Sequence, residues 1–153
     1  MLVGLEQIGN VRRIGAAIRR TIDNRHRRKE VGMIKLVYCI TKSAGKSVEE
    51  FQNYWLENHG PLVRSVAAEL GATKYIQSHT VQPTLNVLLA KSRNCAPSYD
   101  GVTEVWWDNV EDFNHALNSE NGREAALKLL EDEARFIDLA QSRVFLTEEH
   151  EIF

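Results

Sequence analysis

Apolar residues recur at two different spacings from Met33 onward, and these spacings predict alternating strands and helices. Strands are indicated where apolar, β-branched and aromatic residues fill short runs or occupy every second position. Four segments have this pattern: Met33–Thr41, residues 72–81, Val102–Asp108 and Ser142–Thr147. In the first and third of them both faces of the strand carry apolar or aromatic side chains, so each face needs a cover.

The first predicted helix begins at Ser47, which has the capping-box spacing to Glu50. Three aromatic residues continue it at intervals of three and four: Phe51, Tyr54 and Trp55. Gly60 and Pro61 are expected to end this helix directly after His59, because glycine tolerates the backbone angles of a helix end and proline removes a backbone donor. His59 is then either a cap for the last carbonyl groups or a side chain held in place for acid–base chemistry, and spacing alone favours the cap.

Helical spacing predicts three further helices: Leu62–Leu70, ending at Gly71; Asn109–Asn118, with Asn109 as its N-cap; and Gly122–Arg135. The inward positions of the last helix are expected to include Ala125, Leu129 and Ala134. Residues 82–100 form a connection longer than most in compact domains, which favours a lid or an interaction loop containing one or two turns of helix.

The resulting order, β-α-β-β-α-β, is that of the ferredoxin-like α+β fold, a four-stranded antiparallel sheet with helices on one face. The other face of such a sheet is open, although the strands are apolar on both faces. A second copy of the same sheet is the simplest cover for that face. The sequence therefore predicts a two-fold homodimer with a barrel-like interior, a dimeric α/β barrel.

Composition mainly excludes classes of function. The net charge of −2 conceals a division, because residues 1–32 carry eight Lys/Arg and three Asp/Glu, a charge of +5, whereas residues 33–153 carry −7. An acidic main body lacks the basic surface of a nucleic-acid-binding protein. No apolar run reaches the roughly 18 residues of a membrane span, and no signal-peptide core is recognised. The two cysteines have neither disulfide-framework nor zinc-site spacing, so a cytoplasmic location is expected.

Residues 1–32 are expected to form a basic N-terminal extension outside the folded domain, which comprises residues 33–153. Three isoleucines and a valine recur there at helical spacing among arginines. This pattern allows a basic amphipathic helix at an anionic membrane surface or a targeting segment. Three glycines weaken any such helix, so an appendage without a fixed fold is favoured over membrane contact.

The aromatic and polar residues of these elements define a candidate pocket. Its expected ligand-binding side chains are Tyr38, Trp55, Tyr75, Glu104 and Trp106, and its expected proton carriers are His59, His79 and Asp100. Aromatic walls with a few polar groups suit a small, flat, apolar molecule such as a phenol, a quinone or a lactone. A histidine suits proton transfer to or from carbon, as in enolisation, isomerisation or dehydration. The histidine spacings match no metal site and nucleotide-binding loops are absent from the sequence, so neither a metal nor a cofactor is expected.

Several segments resemble the EthD family: Met33–Tyr38, Tyr54–Trp55 with His59-Gly60-Pro61, Tyr99–Asp108, Glu133–Asp138 and Val144–His150. The resemblance implies a dimeric α+β barrel over roughly residues 33–150, similar to muconolactone isomerases, cofactor-free quinone-forming monooxygenases and polyketide cyclases. It also implies oxidoreductase-related chemistry or polyketide tailoring in aromatic compound metabolism. His59 matches the family's histidine before Gly-Pro, and Asp100 and Trp106 lie in segments that match the family pattern.

Two hypotheses from different classes follow. The first is a small cofactor-independent enzyme acting by acid–base chemistry on an aromatic, quinone or lactone intermediate, with His59 as general acid or base and Asp100 or His79 assisting. The second is a non-catalytic dimeric protein that binds a small hydrophobic molecule in the same pocket. Replacing a catalytic His59 abolishes turnover and spares affinity, whereas replacing a capping His59 lowers only stability. Haem binding is a weaker alternative, because the sequence identifies no axial histidine.

Overall fold

The computed structural model describes residues 32–153, and four strands of this part form one antiparallel sheet. The strands are β1 (Ile34–Ile40), β2 (Lys74–His79), β3 (Gly101–Trp107) and β4 (Arg143–Glu148), in the order β2-β3-β1-β4. All four predicted strands are confirmed to within two residues at each end. The ferredoxin-like α+β fold predicted from the sequence is therefore present. The predicted basic extension, as far as residue 31, lies outside the described residues.

The helical elements are α1 (Val48–Tyr54), a π-helical turn (Trp55–His59, here the π turn), α2 (Gly60–Ser65), α3 (Pro83–Ser92), α4 (Val110–Asn118) and α5 (Glu120–Glu133). The predicted capping box at the start of α1 is confirmed. The backbone N–H of Glu50 donates to the Ser47 hydroxyl at 3.1 Å, and the backbone N–H of Ser47 donates to the Glu50 carboxylate at 2.7 Å. The long connection before β3 contains the expected helix, α3.

The predicted helix end at Gly60 and Pro61 is wrong. The π turn continues α1 into α2, which holds Pro61 near its start. The N–H of Gly60 donates to the carbonyl of Trp55, five residues back, so the wider turn changes the hydrogen-bond pattern where proline cannot donate. The side chain of Gln77 on β2 donates to the same carbonyl at 2.9 Å. His59 thus lies inside a helical segment and makes no capping hydrogen bond, which removes the capping explanation for this residue.

Two details of α5 also differ from the expectation. The predicted helices end at Asn118 and begin again at Gly122, but the gap between them is confined to Ser119. Its hydroxyl accepts from the N–H of Gly122 at 3.1 Å and so starts the next helix immediately. Ala134 is exposed, although it was expected to face inward, because α5 ends at Glu133. Ala125 is buried as predicted.

Strand register divides the sheet into two faces. The covered face lies towards the helices and includes Leu36, Tyr38, Tyr75, Thr103, Val105 and Trp107. The open face carries Lys35, Val37, Cys39, Ile76, Glu104, Trp106 and Phe145. Within the described residues the open face leaves apolar surface uncovered, since Phe145 is 49% exposed and Ile76 is 36% exposed.

The helices pack on the covered face around a core of five residues: Ile40, Phe51, Trp55, Phe136 and Ile137. The core lies where β1, α1 and the segment after α5 meet, and the remaining space between helices and sheet stays open as a cavity. Among the helices of residues 32–153, none combines the length and apolar character needed to cross a membrane.

Candidate functional site

A cavity of about 940 Å³ lies between the helices and the covered face of the sheet. Pockets for small molecules generally have volumes of roughly 300–1,000 Å³. Most of the wall is apolar, with main contributions from Leu36, Val105, Trp107, Phe113, Leu117 and Leu129. Polar and charged side chains interrupt it: Tyr38, Glu57, His59, Arg64, Thr73, Lys74, Tyr75, Gln77, Thr103 and Glu133. The cavity therefore suits an apolar ligand that presents a few polar atoms.

His59 is held from behind by a carboxylate. Its ring is only 3% exposed, and Nδ1 lies 2.8 Å from Oδ2 of Asp132. The hydroxyl of Tyr54 donates to Oδ1 of the same carboxylate at 2.6 Å. The ring of Phe136 packs against the imidazole at a centroid distance of 5.2 Å. These contacts fix both the position and the orientation of the imidazole.

The carboxylate also fixes which nitrogen carries the proton. Partial burial opposes the charged form of Asp132, but the hydrogen bonds from Tyr54 and His59 outweigh it and lower the pKa of this carboxyl. Asp132 is then an acceptor, so Nδ1 of His59 donates and Nε2 keeps its lone pair. Burial lowers the pKa of His59 from its ordinary 6.5, and the nearby Asp132 only partly opposes that effect. The imidazole is therefore neutral at neutral pH, as a general base must be.

Nε2 of His59 has no hydrogen-bond partner among residues 32–153. In the same part of the chain, every fully buried side-chain nitrogen or oxygen atom has a partner. His59 itself belongs to the cavity wall. A ligand in the cavity can thus meet the basic nitrogen of an otherwise buried histidine.

Glu133 is a second titratable side chain of the cavity and was not predicted from the sequence. Burial, helped by the negative charge of Asp132, raises the pKa of Glu133 to about 7. Burial likewise raises the pKa of Tyr38 to about 12, with a smaller contribution from Glu133. Burial raises the pKa of Tyr75 as well, against the hydrogen bonds that its hydroxyl makes. At neutral pH both tyrosines are therefore hydroxyl donors.

Four of the predicted site residues reach the cavity as expected: His59, described above, and Tyr38, Trp55 and Tyr75. Trp55 is fully buried, and its indole nitrogen donates to the hydroxyl of Tyr75 at 3.4 Å. His79 lies behind this wall, with its ring stacked on Trp55 at a centroid distance of 4.6 Å. Its Nε2 is 3.1 Å from Oε1 of Gln77. His79 thus contacts the wall of the cavity and does not line the cavity itself.

Asp100 supports the loop before β3. Its carboxylate accepts from the backbone N–H of Lys42 at 2.9 Å, and its own N–H donates to the carbonyl of Ile40 at 2.8 Å. These contacts join two chain segments at one end of the sheet. The structure therefore does not bring Asp100 together with His59 in the cavity.

Glu104 and Trp106 lie on the open face, so the predicted grouping of these residues with Trp55 and Tyr75 is wrong. Successive strand residues alternate between faces, and Trp107 occupies the covered face instead. Lys35 pairs with Glu104 at 2.8 Å. The ammonium of Lys74 lies 4.5 Å from the ring centre of Trp106, which is thereby shielded from solvent. Alternation in the sequence separated the two faces correctly, but it did not show which of them the helices cover.

No local sequence pattern connects Asp132 with His59, since 73 residues separate them. Glu133 could have been found, because it continues the four-residue spacing of Ala125 and Leu129 along α5. A charged residue at such an inward position is unusual enough to indicate a functional role. Among the described residues, no group of three or more His, Cys, Asp or Glu side chains is arranged to hold a metal ion.

The fold and the cavity define the class: a ferredoxin-like α+β protein with a ligand-sized cavity between sheet and helices. The family model of the EthD domain matches residues 43–140, well over half of the chain. The protein belongs to the EthD family, as the sequence resemblance implied. The sequence matches no curated protein.

Solved structures with the same fold include three informative examples. An EthD family protein from Bacillus halodurans is 16% identical, has a TM-score of 0.52, and the match covers 77% of this chain and 99% of that one. A dimeric ferredoxin-like protein of unknown function from Bacteroides fragilis is 13% identical, with a TM-score of 0.50 and coverage of 77% and 97%. A hydroxynitrile lyase from Passiflora edulis is 12% identical, with a TM-score of 0.52 and coverage of 80% and 98%. At such low identities these likenesses establish the fold alone.

Proposed function

We propose that this protein is a small cofactor-independent enzyme that performs acid–base chemistry on an aromatic, quinone or lactone molecule in the cavity, with His59 as the general base. The observation that carries the proposal is the 2.8 Å contact between His59 Nδ1 and Asp132. It leaves Nε2 as a neutral, oriented acceptor in the wall of a cavity. A positioned base of this kind typically contributes about 10²–10⁴-fold to a proton-transfer rate.

The substrate class is inferred from the walls of the cavity. Trp107, Phe113 and Tyr75 offer flat apolar surfaces, which suit a ring. The tyrosine hydroxyls remain protonated at neutral pH and can donate to a carbonyl or enol oxygen. Removal of a proton from carbon beside such an oxygen is the reaction that these groups support best. The Passiflora edulis hydroxynitrile lyase is one example of catalysis on this fold, while the proposal for this chain rests on His59.

We further propose that the working form is a homodimer joined through the open face. Phe145 and Ile76 leave apolar surface exposed there, with Val37 and Cys39 half-buried beside them. Covering such a surface stabilises an assembly by the hydrophobic effect. The Bacteroides fragilis protein with the same fold is dimeric. The cytoplasmic location stays a prediction from the cysteine pattern.

The proposal is tested by ligand binding and turnover with His59→Gln. Thermal stability of the wild type is first measured against a panel of phenols, quinones, lactones and anthrones, since a ligand at about 100 times its Kd adds about 2.7 kcal/mol of stability. Each hit is then assayed for conversion by chromatography. We expect His59→Gln to keep the thermal shift and to lose conversion. His115→Gln is the matched control, because His115 is exposed on α4.

The outcomes separate the two classes of function. Conversion that disappears in His59→Gln but not in His115→Gln supports the enzyme. Ligands that bind the wild type and both variants equally, with no conversion of any of them, identify a binding protein. A complete absence of binding across the panel contradicts both forms of the proposal.

A further inference from the structure

We propose that Glu133 is the second catalytic group of the cavity, an acid that donates a proton to the same substrate from which His59 removes one. This inference rests on the proposed function of His59 and extends it to a reaction class. A base and an acid acting on one molecule catalyse a redox-neutral proton shift, as in enolisation or isomerisation. Neither the sequence nor the family resemblance assigned a role to Glu133.

The geometry of the last turn of α5 supports this role. Leu129, Leu130 and Glu133 all line the cavity. The preceding residue, Asp132, accepts hydrogen bonds from Tyr54 and His59 at 2.6 and 2.8 Å. Two adjacent carboxyl groups therefore have different environments. One orients the base, and the other is presented to whatever occupies the cavity.

In the part of the chain that the structure describes, Glu133 has no polar partner that would explain its position. Across residues 32–153, its carboxyl group makes neither a side-chain hydrogen bond nor an ion pair. Carboxyl groups inside proteins are usually paired with a cation or with hydrogen-bond donors. An acid that contributes no contact to the fold but lines a ligand-sized cavity has the character of a functional residue.

The surroundings of Glu133 favour its protonated form. It is the last residue of α5, where the helix dipole opposes negative charge. Asp132 precedes it on the same helix, and the titratable side chains that line the cavity with it are Tyr38, Glu57, His59, Arg64, Lys74 and Tyr75. Burial and the negative charge of Asp132 raise the pKa of Glu133, and neither Arg64 nor Lys74 is among the groups that shift it. His59 is neutral at neutral pH because burial lowers its pKa. The acid therefore keeps its proton close to neutrality, where His59 is already a base.

The proposed step is balanced. Nε2 of His59 takes a proton from a carbon beside a carbonyl group, and the electron pair of that C–H bond forms the C=C bond of an enol. The carbonyl oxygen receives the proton of Glu133, which becomes a carboxylate, and His59 becomes an imidazolium. Return of the imidazolium proton to the same or to a conjugated carbon, with return of the enol proton to Glu133, restores both residues. Return of the proton to the same carbon gives proton exchange, and return to a conjugated carbon gives isomerisation.

The test uses 2-tetralone, an aromatic ketone with acidic C–H bonds, in D₂O. Replacement of its α-protons by deuterium is followed by ¹H NMR, and binding of the probe is followed by tryptophan fluorescence. We expect Glu133→Gln to bind the probe as the wild type does and to exchange its protons about 10²-fold more slowly, the lower end for general acid–base catalysis. Glu133→Asp should recover part of the rate. Glu131→Gln is the matched control, an exposed glutamate of the same helix outside the cavity.

A pH profile separates an acid from a merely structural residue. The exchange rate of the wild type should rise with pH as His59 loses its proton, and because the pKa of His59 is lowered this rise should occur below pH 6.5. The rate should then fall as the pH passes the pKa of Glu133, at about 7. Glu133→Gln should lack the fall at high pH and keep the rise.

Failure of this inference and failure of the proposed function look different. Loss of exchange in His59→Gln, with wild-type exchange and an unchanged alkaline limb in Glu133→Gln, refutes the role of Glu133 and leaves His59 as the base. A wild-type protein that does not accelerate exchange above the buffer rate, or a His59→Gln variant that exchanges as fast as the wild type, overturns the proposed function and the role of Glu133 with it.

Discussion

Replacing Glu133 by glutamine should stabilise the protein at high pH and change its stability much less at low pH. The ionised carboxylate of Glu133 is disfavoured in the folded protein, mainly by burial and further by Asp132. Glutamine has nearly the same shape but cannot become charged. The variant therefore avoids the cost of placing an anion in the cavity wall, and this cost depends on pH.

The magnitude follows from the two pKa values. In the unfolded chain a glutamate ionises near pH 4.5, whereas in the folded protein Glu133 keeps its proton up to about 7. A raised pKa in the folded state contributes stability that is complete below pH 4.5 and is lost as pH rises through about 7. The difference of about 2.5 between these pKa values corresponds to about 3.5 kcal/mol, at roughly 1.4 kcal/mol for each tenfold change in an equilibrium constant.

The measurement is urea denaturation of wild type and Glu133→Gln between pH 4.5 and pH 8.5 at one fixed protein concentration. We expect the stability of the variant relative to the wild type to increase by about 2–3 kcal/mol across this range. His59 and Asp132 also titrate, but both are present in the two proteins and largely cancel in the difference. Glu131→Gln, at an exposed position of the same helix, should show no such dependence on pH.

Two results would refute the reasoning. A stability difference that stays constant with pH would mean that the pKa of Glu133 is the same in the folded and unfolded states. A difference that favours the wild type increasingly at high pH would mean that the carboxylate has a cationic partner. In either case the cavity would not hold a protonated acid at neutral pH.

Two further predictions concern the fold and its assembly. In Gly101→Ala the added Cβ would collide with the ring of Trp55, so we expect the free energy of unfolding in urea to fall by about 1–3 kcal/mol. Gly60→Ala is the control and should not lower it, because its Cβ would meet nothing closer than 3.5 Å. Phe145→Glu should convert the proposed homodimer to a monomer in sedimentation velocity, because it places a charge on the open face. Leu127→Glu, on the exposed side of α5, should not. A wild type that sediments as a monomer, or a Phe145→Glu variant that stays dimeric, contradicts the proposed interface.

The sequence was sufficient for the elements and insufficient for the site. Strand periodicity and the Ser47 capping box are local patterns, and the structure confirms them. Which face of β3 the helices cover is not a local property, because it depends on where helices distant in sequence pack. For that reason Trp106 was assigned to the cavity, where the structure has Trp107. Asp132 was missed for the same reason, since only folding brings it to His59.

The wrong prediction of a helix end at Gly60 and Pro61 concerns the segment that builds the site. An ordinary α-helix through Trp55–His59 would require Pro61 to donate a hydrogen bond that it cannot make. The π turn lies directly before this proline and adds a residue to the turn, and the carbonyl of Trp55 accepts from Gly60 and Gln77. π turns occur frequently at functional sites, where they reposition a side chain without ending the helix. Here the turn ends at His59, so the same proline that suggested a helix end coincides with the placement of the base against Asp132 and the cavity.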